Sequence, residues 1–404
     1  MLRNIPNRFN LSTMKKFLPL LFLLVSTGLQ AQVLRNLNFR YLYNPDEVFT
    51  LSWDVVKQSD TYTVFYDLKL NDTSRLYTDL KITWELRKSP AEKTGIPKTG
   101  TPTELESSAV RKAGSLQFSA DADQTIVVAK VNVVDGKKSW AFLFYKPLPE
   151  TQSLYATSST NDMIKESFIK RGSPVSFHGF TSDKPLQVSY YKDAFPAGAP
   201  AFSTAQARVA KTIKPDSIFS IDVAAEALLP HTGLYLIQQD TASTAGIAFR
   251  VEEDYPKLGK LESLAGPLIY VCTKQEYEKI KLAGNDKKRF DQVILSITGN
   301  TERARTFMRN YFKRVEAANL YFSSYKEGWK TDRGMIYIIY GVPDEVYLFD
   351  DREVWEYKNE NFKERFQFVK SATIFDPDNF VLIRQKSFAD DWYQMIDLWR
   401  KARF

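Results

Sequence analysis

The sequence predicts a multidomain protein with two N-terminal all-β, sandwich-like modules followed by a C-terminal α+β domain. Apolar residues alternate with a period of two up to about residue 149, and a second strand-rich region follows to residue 253. From residue 254 onwards helical spacing appears before further strands and a final helix. The 404 residues suffice for two or three domains.

The composition excludes several functional classes before any motif is considered. With 44% hydrophobic and 25% charged residues, the chain is neither a disordered nor a multi-span membrane protein. A single cysteine, Cys272, excludes an intrachain disulfide framework and a thiolate zinc cluster. The two histidines, His178 and His231, leave little room for a histidine-rich metal site. We therefore expect no metal and no cofactor.

Residues 1–31 are predicted to be a Sec signal peptide that export removes. Lys15 and Lys16 precede a short apolar stretch from Phe17 to Val25, and a small residue, Ala31, ends the segment. Cleavage after Ala31 would leave Gln32 at the N-terminus. The apolar stretch is shorter than the roughly 20 residues that a membrane-spanning helix needs, and no later stretch qualifies. Translation from Met14 in place of Met1 would retain all of these signals.

Removal of the leader also changes the charge balance. Its basic residues are Arg3, Arg8, Lys15 and Lys16, and it has no acidic residue, so the formal charge falls from +7 to +3. So small a net positive charge does not favour nucleic-acid binding, which needs clustered cations on one face. The predicted location is the periplasm or cell envelope, with an extracellular location as the alternative.

The first predicted module spans residues 32–149. Alternating stretches end in a hairpin signal at Asp135-Gly136, and the absence of a helical stripe favours a β-sandwich. The predicted strands are 49–55, 62–70, 80–86, 125–134 and 139–145. Between them, residues 88–114 are rich in Ser, Pro, Thr, Lys and Gly, which predicts a long flexible loop.

The second predicted module, residues 150–253, continues the strand pattern. Strands are expected at 175–180, 186–191, 233–238 and 245–251, and a loop at 194–207. The polar, Pro- and Gly-containing stretch 252–260 predicts the boundary with the next domain.

The C-terminal region, residues 254–404, mixes helices and strands. Thr273 and Glu276 match a capping box, residues 290–297 show amphipathic helical spacing, and Thr301 is expected to cap a longer helix that reaches about residue 324. Strands are predicted at 269–272, 335–340, 353–357, 365–369 and 380–383, with a terminal helix around residues 392–399.

One motif in this region is specific. The residues Gly328-Trp329-Lys330-Thr331-Asp332 follow the long helix, and the stretch from Glu353 to Tyr357 downstream contains Trp355 in an E-x-W-x-Y pattern. These residues closely resemble the GWxTD domain of exported bacterial proteins over roughly residues 260–385. That resemblance implies an architecture and a cell-envelope address, and it implies no enzymatic activity.

The motif has a structural and a functional interpretation. In the structural one, Gly328 ends the helix in a left-handed conformation, Trp329 packs on the helix, and Thr331 and Asp332 fix a turn. The remaining residues assigned this structural role are Gly334, Gly341, Pro343 and Trp355. In the functional one, polar side chains around the motif line a binding groove. The candidate binding residues are Arg314, Arg333, Tyr340 and Asp344, with Asp332 also on the groove in this interpretation.

No catalytic residue is assigned, because the sequence contains no nucleophile-elbow, zincin, P-loop or dinucleotide-binding motif. We expect an exported, non-catalytic cell-envelope protein whose C-terminal domain binds a protein or glycan partner. One alternative is a glycan-active hydrolase that uses the carboxylates near residues 344–356. Another is an accessory factor for outer-membrane assembly or secretion. The oligomeric state and the partner do not follow from the sequence.

Overall fold

The computed structural model describes residues 37–71, 80–100, 102–135, 138–192, 195–204, 213–358 and 362–403. The predicted leader, its cleavage site and Gly136 of the predicted hairpin turn lie outside these residues. Within them, no helix combines the length and the hydropathy needed to cross a bilayer. The chain is mostly β-sheet, with a helical region towards its C-terminus.

Within the described residues, twenty strands build five sheets. The strands of the N-terminal half are Phe49–Gln58 (β1), Thr61–Leu70 (β2), Leu80–Arg87 (β3), Ile96–Lys98 (β4), Thr103–Ser107 (β5), Arg111–Phe118 (β6), Ile126–Asp135 (β7) and Lys138–Pro147 (β8). Those that follow are Tyr155–Ser158 (β9), Phe168–Lys170 (β10), Pro174–His178 (β11), Leu186–Tyr191 (β12), Ser217–Ile221 (β13), Ala227–Leu228 (β14), Gly233–Gln238 (β15) and Ile247–Glu252 (β16). The last four are Glu345–Leu348 (β17), Arg352–Lys358 (β18), Lys363–Lys370 (β19) and Phe380–Leu382 (β20).

The first eight strands form two antiparallel sheets around one core. Their orders are β1-β2-β6-β5 and β4-β3-β7-β8, and the core takes inward residues from both, among them Trp53, Tyr66, Trp84 and Val131. The predicted hairpin partners pair as expected, since β7 and β8 are antiparallel neighbours. The long loop predicted at 88–114 is wrong, because β4, β5 and the start of β6 lie there. Strands β4 and β5 are mostly exposed, so they lack the apolar alternation that reveals a half-buried strand.

The next eight strands form a second pair of sheets. Their orders are β10-β16-β15-β12-β13 and β14-β11-β9, and residues such as Val175, Val188 and Ile237 fill the core that both share. Strands β10 and β16 pair in parallel, whereas their neighbours are antiparallel. The described part of the predicted loop 194–207 contains no strand.

The C-terminal region packs helices against a sheet of order β17-β18-β19-β20. Its α-helices are Leu261–Leu264 (α1), Lys274–Ala283 (α2), Lys287–Thr298 (α3), Thr301–Phe322 (α4), Asp332–Tyr340 (α5) and Ala389–Arg400 (α6). Short 3₁₀ turns cover Arg40–Tyr43, Gly266–Tyr270, Gly328–Lys330 and Lys386–Phe388.

Several helix predictions are confirmed in detail. Thr273 and Glu276 form the reciprocal capping box at the start of α2. The stripe of α3, which contains Phe290 and Ile294, faces the core. The long helix is capped one residue earlier than expected, because the Asn300 side chain accepts from the Arg303 N–H at 2.9 Å.

Two predicted strands are wrong. Residues 269 and 270 lie in the 3₁₀ turn Gly266–Tyr270, and residues 271 and 272 follow it without strand structure, whereas residues 335–340 form the body of α5. A short run of apolar residues has no period that separates a buried strand from a buried helix. The helix is favoured here because Thr331 caps it, and because α5 is buried from Gly334 to Tyr340.

The N-terminal segment completes the C-terminal core. Phe39 and Tyr43 are buried in the same cluster as the α4, α5 and α6 side chains. The Phe39 N–H donates to the carbonyl of Val346 at 2.8 Å, and the hydroxyl of Tyr337 donates to the Tyr43 carbonyl at 3.0 Å. The segment therefore lies along the free edge of β17.

Candidate functional site

The motif segment, residues 328–334, connects α4 to α5 through a tight 3₁₀ turn. The Thr331 hydroxyl donates to the Gly328 carbonyl at 2.8 Å and accepts from the Gly334 N–H at 3.0 Å. A β-carbon at Gly334 would lie 1.9 Å from the Gly328 oxygen, and one at Gly328 would lie 2.1 Å from the Ala318 oxygen. Both glycines are needed for close backbone approach. The left-handed cap expected at Gly328 is wrong, because α4 already ends at Phe322.

Trp329 is buried beneath the 3₁₀ turn Gly266–Tyr270. Its N–H donates to the Asn319 side chain at 3.0 Å, and its carbonyl accepts from the Tyr270 hydroxyl at 2.9 Å. A β-carbon on Gly266 would lie 2.8 Å from the indole ring. The large apolar ring and its backbone are therefore held from both sides, as expected for a packing anchor.

Asp332 forms a buried, two-point ion pair with Arg384. The Asp332 oxygens Oδ1 and Oδ2 lie 2.6 and 3.0 Å from Nη2 and Nη1 of Arg384, and the two side chains are 5% and 3% exposed. Oδ2 also accepts from the Leu382 N–H at 2.8 Å. The carboxylate therefore ties the start of α5 to β20.

The same pair holds a loop from the second β-rich region. Arg384 Nη2 donates to the Ala199 carbonyl at 3.0 Å, and the Gly198 N–H donates to the Lys330 carbonyl at 2.9 Å. A β-carbon at Gly198 would lie 2.6 Å from Asp332 Oδ1. The motif thus joins residues that are far apart in the sequence.

A second charged cluster lies beside the motif. The ammonium group of Lys330 lies 2.8 Å from the Glu327 carboxylate, which is 3.4 Å from the guanidinium of Arg250 on β16. Arg250 also pairs with Glu252 and donates to the Tyr325 carbonyl. Burial opposes ionisation of Glu327, but the two cations outweigh it and lower its pKa.

Arg333 contacts the C-terminal sheet. Its Nη1 donates to Glu353 Oε2 at 3.0 Å, and its guanidinium lies 4.5 Å from the centre of the Phe380 ring. The other oxygen of Glu353 accepts from the Trp355 indole N–H at 2.6 Å. The motif and the E-x-W-x-Y pattern are therefore connected through one buried carboxylate.

The four candidate binding residues do not share one surface. Arg333 is on the first turn of α5, and Tyr340 lies at the other end, 5% exposed, so the strand-end position expected for it is wrong. Arg314 donates to the carbonyls of Ile338 and Ile339 at the C-terminal end of α5, where a cation is favourable.

Asp344 lies at the start of β17. Its Oδ2 accepts from the Lys358 N–H at 2.7 Å, and its carbonyl accepts from the Asn38 side chain. Just before it, Gly341 has a φ of +87°, and a β-carbon there would lie 3.1 Å from the Arg314 guanidinium. Gly341 and Pro343 thus belong to the turn between α5 and β17.

Cys272 and two carboxylates downstream of the motif each have a defined environment. Among the described residues, no three His, Cys, Asp or Glu side chains are placed to hold a metal ion. Burial raises the pKa of the Cys272 thiol to about 12, so that the thiolate is disfavoured. Of the carboxylates near the motif, Glu345 pairs with Lys358 at 2.6 Å and Glu353 with Arg333.

One carboxyl pair was not anticipated from the sequence. Glu364 on β19 and Asp391 on α6 lie within hydrogen-bonding reach, and burial followed by Asp391 raises the pKa of Glu364 to about 7.

Comparison with known proteins gives one family. The model of the GWxTD domain matches residues 233–401, which extends on both sides beyond the 260–385 predicted from the motifs. No curated protein matches. A solved structure titled "Titin Ig tandem domains A164-A165" is 10% identical and covers 52% of this chain and 97% of its own, with a TM-score of 0.17, too low to support any argument. The match therefore assigns residues 233–401, which include the motif at 328–332, to a GWxTD domain.

Proposed function

We propose that the protein is an exported, non-catalytic component of the cell envelope that binds a protein or glycan partner. In this proposal the two β-rich regions are separate sandwich-like modules that position the GWxTD domain. Their separate cores support that division. Export rests on the leader pattern in residues 1–31.

The main support for a non-catalytic role is that the polar groups of the motif are already bonded to other groups of the protein. Asp332 gives both oxygens to Arg384 and the Leu382 N–H, and Thr331 uses its hydroxyl within the turn. A catalytic acid or base must reach a substrate proton directly or through one water. Groups that are already paired and buried stabilise the fold instead, and the partner then binds elsewhere on the surface.

Export has a direct test. The mature protein purified from the envelope of its native cells is sequenced from its N-terminus, and Gln32 is the expected first residue. Retention of residues 14–25 in the mature chain would contradict the proposal of a cleaved leader.

The role of the motif is tested with the full mature chain as bait. Native envelope extracts are passed over the parent protein, over Asp332→Asn and over Asp351→Asn, an exposed carboxylate that serves as the matched control. Capture is normalised to the folded fraction measured by circular dichroism. We expect Asp332→Asn to melt earlier but to capture the same partner per folded molecule. An unchanged melting temperature with lost capture would place the binding site on the motif itself.

A further inference from the structure

An open groove runs beside α4, away from the motif. Its floor consists of apolar side chains from α4 and from the segment 257–264, most of them partly exposed. The apolar residues are Leu258, Leu264, Met308, Phe312 and Val315, and the charged ones are Lys257, Arg309, Lys313 and Glu316. Its volume is about 300 Å³. We call it the α4 groove.

The rim of the α4 groove carries excess positive charge. Its one acid, Glu316, lies 3.7 Å from the Lys257 ammonium group. Across the part of the chain that the structure describes, neither Arg309 nor Lys313 has an ion-pair partner. Arg305, one turn earlier on α4, is also exposed and has no such partner there. The groove therefore combines an apolar floor with a row of uncompensated cations.

We propose that the α4 groove binds an acidic amphipathic helix of a partner protein. This inference rests on the proposed binding function and assigns it a surface and a partner chemistry. The apolar face of such a helix fills the floor, and its carboxylates meet the row of cations, as in helix-in-groove recognition with flanking charge pairs.

The spacing of the cations fits this occupant. Arg305, Arg309 and Lys313 are four residues apart, so successive side chains are about 6 Å apart along the axis of α4. Glutamates four residues apart on a second helix have the same spacing. From Met308 to Glu316 the groove is about two turns long, which suits two or three apolar side chains of the partner.

The shape of the groove favours a helix over other anions. A sugar or nucleotide would leave the floor of Leu258, Leu264 and Phe312 without an apolar partner. A membrane surface would meet the cations but would not fill a concave groove. An anionic lipid surface is therefore the competing occupant, and the experiment includes it.

The test uses the mature full-length chain and two labelled peptides. The probe is a fluorescein-labelled 18-residue peptide with leucines at helical spacing and glutamates every fourth residue along one flank. In the control peptide every glutamate is glutamine. Fluorescence anisotropy gives the Kd for each, and co-sedimentation with vesicles of equal parts phosphatidylglycerol and phosphatidylcholine tests the lipid alternative.

Three variants separate the contributions to binding. Arg309→Glu with Lys313→Glu reverses the charge of the rim, and we expect the Kd of the glutamate peptide to rise at least about tenfold. Met308→Gln keeps the size of the floor residue but makes it polar, with a roughly fivefold weakening expected. The control, Lys81→Glu with Lys130→Glu, makes the same change of net charge on exposed residues of β3 and β7. Its Kd should equal that of the parent.

The results of these experiments either support or overturn the proposal that the α4 groove binds an acidic helix. Tight binding of the glutamate peptide that only the rim and floor variants weaken supports the proposal. Equal binding of both peptides, an unchanged Kd after rim reversal, or vesicle binding without peptide binding overturns it. If the rim variant still captures a native envelope partner, the groove assignment fails while the proposed binding function stands. If the parent captures no partner at all, the proposed function itself fails.

Discussion

Asp332 and Arg384 meet in a buried two-point ion pair, 52 residues apart in sequence, with Nη2 and Oδ1 separated by 2.6 Å. Parallel hydrogen bonds of this kind fix the relative orientation of two planar groups. Here they fix α5 against the end of the C-terminal sheet, and Arg384 extends the contact to the carbonyl of Ala199. Asp332 therefore stabilises the packing of α5 against the C-terminal sheet.

Removing the charge of one partner in this ion pair should lower the stability of the folded protein. Asp332→Asn leaves the buried guanidinium of Arg384 without a counter-charge, and we expect a loss of about 3–5 kcal/mol in the free energy of unfolding. Asp332→Leu combined with Arg384→Met should cost less than either single change, because no charge is then stranded. Urea denaturation of all variants measures this.

The control for that cycle is Asp351→Asn, which removes a carboxylate 69% exposed and 3.2 Å from Arg352. It should change stability by less than about 1 kcal/mol. If Asp332→Asn behaved like this control, the buried pair would not be the structural element that its geometry indicates.

Local patterns in the sequence predicted much of the fold but little of the candidate site. The alternation in residues 62–70 and the capping box at Thr273 each lie within a single strand or helix, and both predictions are confirmed. The strand expected at 335–340 is a helix, because burial on all sides removes the period that distinguishes the two. Arg384 carries no local signal at all, since its importance comes from contacts with residues 52 and 185 positions away.

Trp329→Ala should destabilise the protein by about 3–5 kcal/mol, as loss of a buried aromatic ring does. The cavity would open between Gly266 and Tyr270, which closely approach the indole. Thermal melting measures the loss, and Leu282→Ala, at a side chain 80% exposed, should stay within about 0.5 kcal/mol of the parent. A variant that melts like the parent but loses its partner would show that Trp329 is a recognition residue.

Phe39→Ala should weaken the C-terminal region, although it lies in the N-terminal segment. Phe39 is 1% exposed within that core, so we expect a loss of about 3–5 kcal/mol. Hydrogen exchange should show reduced protection in β17 and β18, while Leu37→Ala, at a residue 40% exposed, leaves it unchanged. Faster exchange confined to β1 and β2 would contradict this assignment.

The same contact bears on the predicted boundary at residues 252–260. A fragment that begins near residue 254 lacks Phe39 and Tyr43, so we expect it to melt below the intact chain. Adding a peptide of residues 37–44 should raise its melting temperature, because a ligand that binds only the folded state stabilises it. No effect of the peptide would indicate a core that is complete without it.

Glu364 should make stability depend on pH. Its pKa rises from the usual 4.5 to about 7 on folding, first through burial and then through Asp391. The folded state therefore binds more protons between these values. The contribution of Glu364 to stability is fully present below pH 4.5 and is lost as the pH rises through 7.

Glu364→Gln removes this titration. The free energy of unfolding is measured for both proteins at pH 5 and at pH 8. The parent should lose more stability than the variant between these two pH values. Asp390→Asn, an exposed carboxylate in the same turn of α6 as Asp391, is the control. Equal pH dependence in the parent and in Glu364→Gln would show that the pKa of Glu364 is not raised on folding.

The docking of residues 37–43 on β17 also constrains the order in which the chain folds. Asn38 bonds to Val346 across 308 positions, so the earliest part of the described chain to be synthesised belongs to one of the last cores to close. Contacts of such long range slow folding, because the loop must be closed before they form. The first strands can fold as they emerge, whereas the C-terminal core stays open until its final helix and this early segment meet. Until then, the apolar side chains of α5 lack their final packing partners, and transiently exposed surface of this kind favours aggregation.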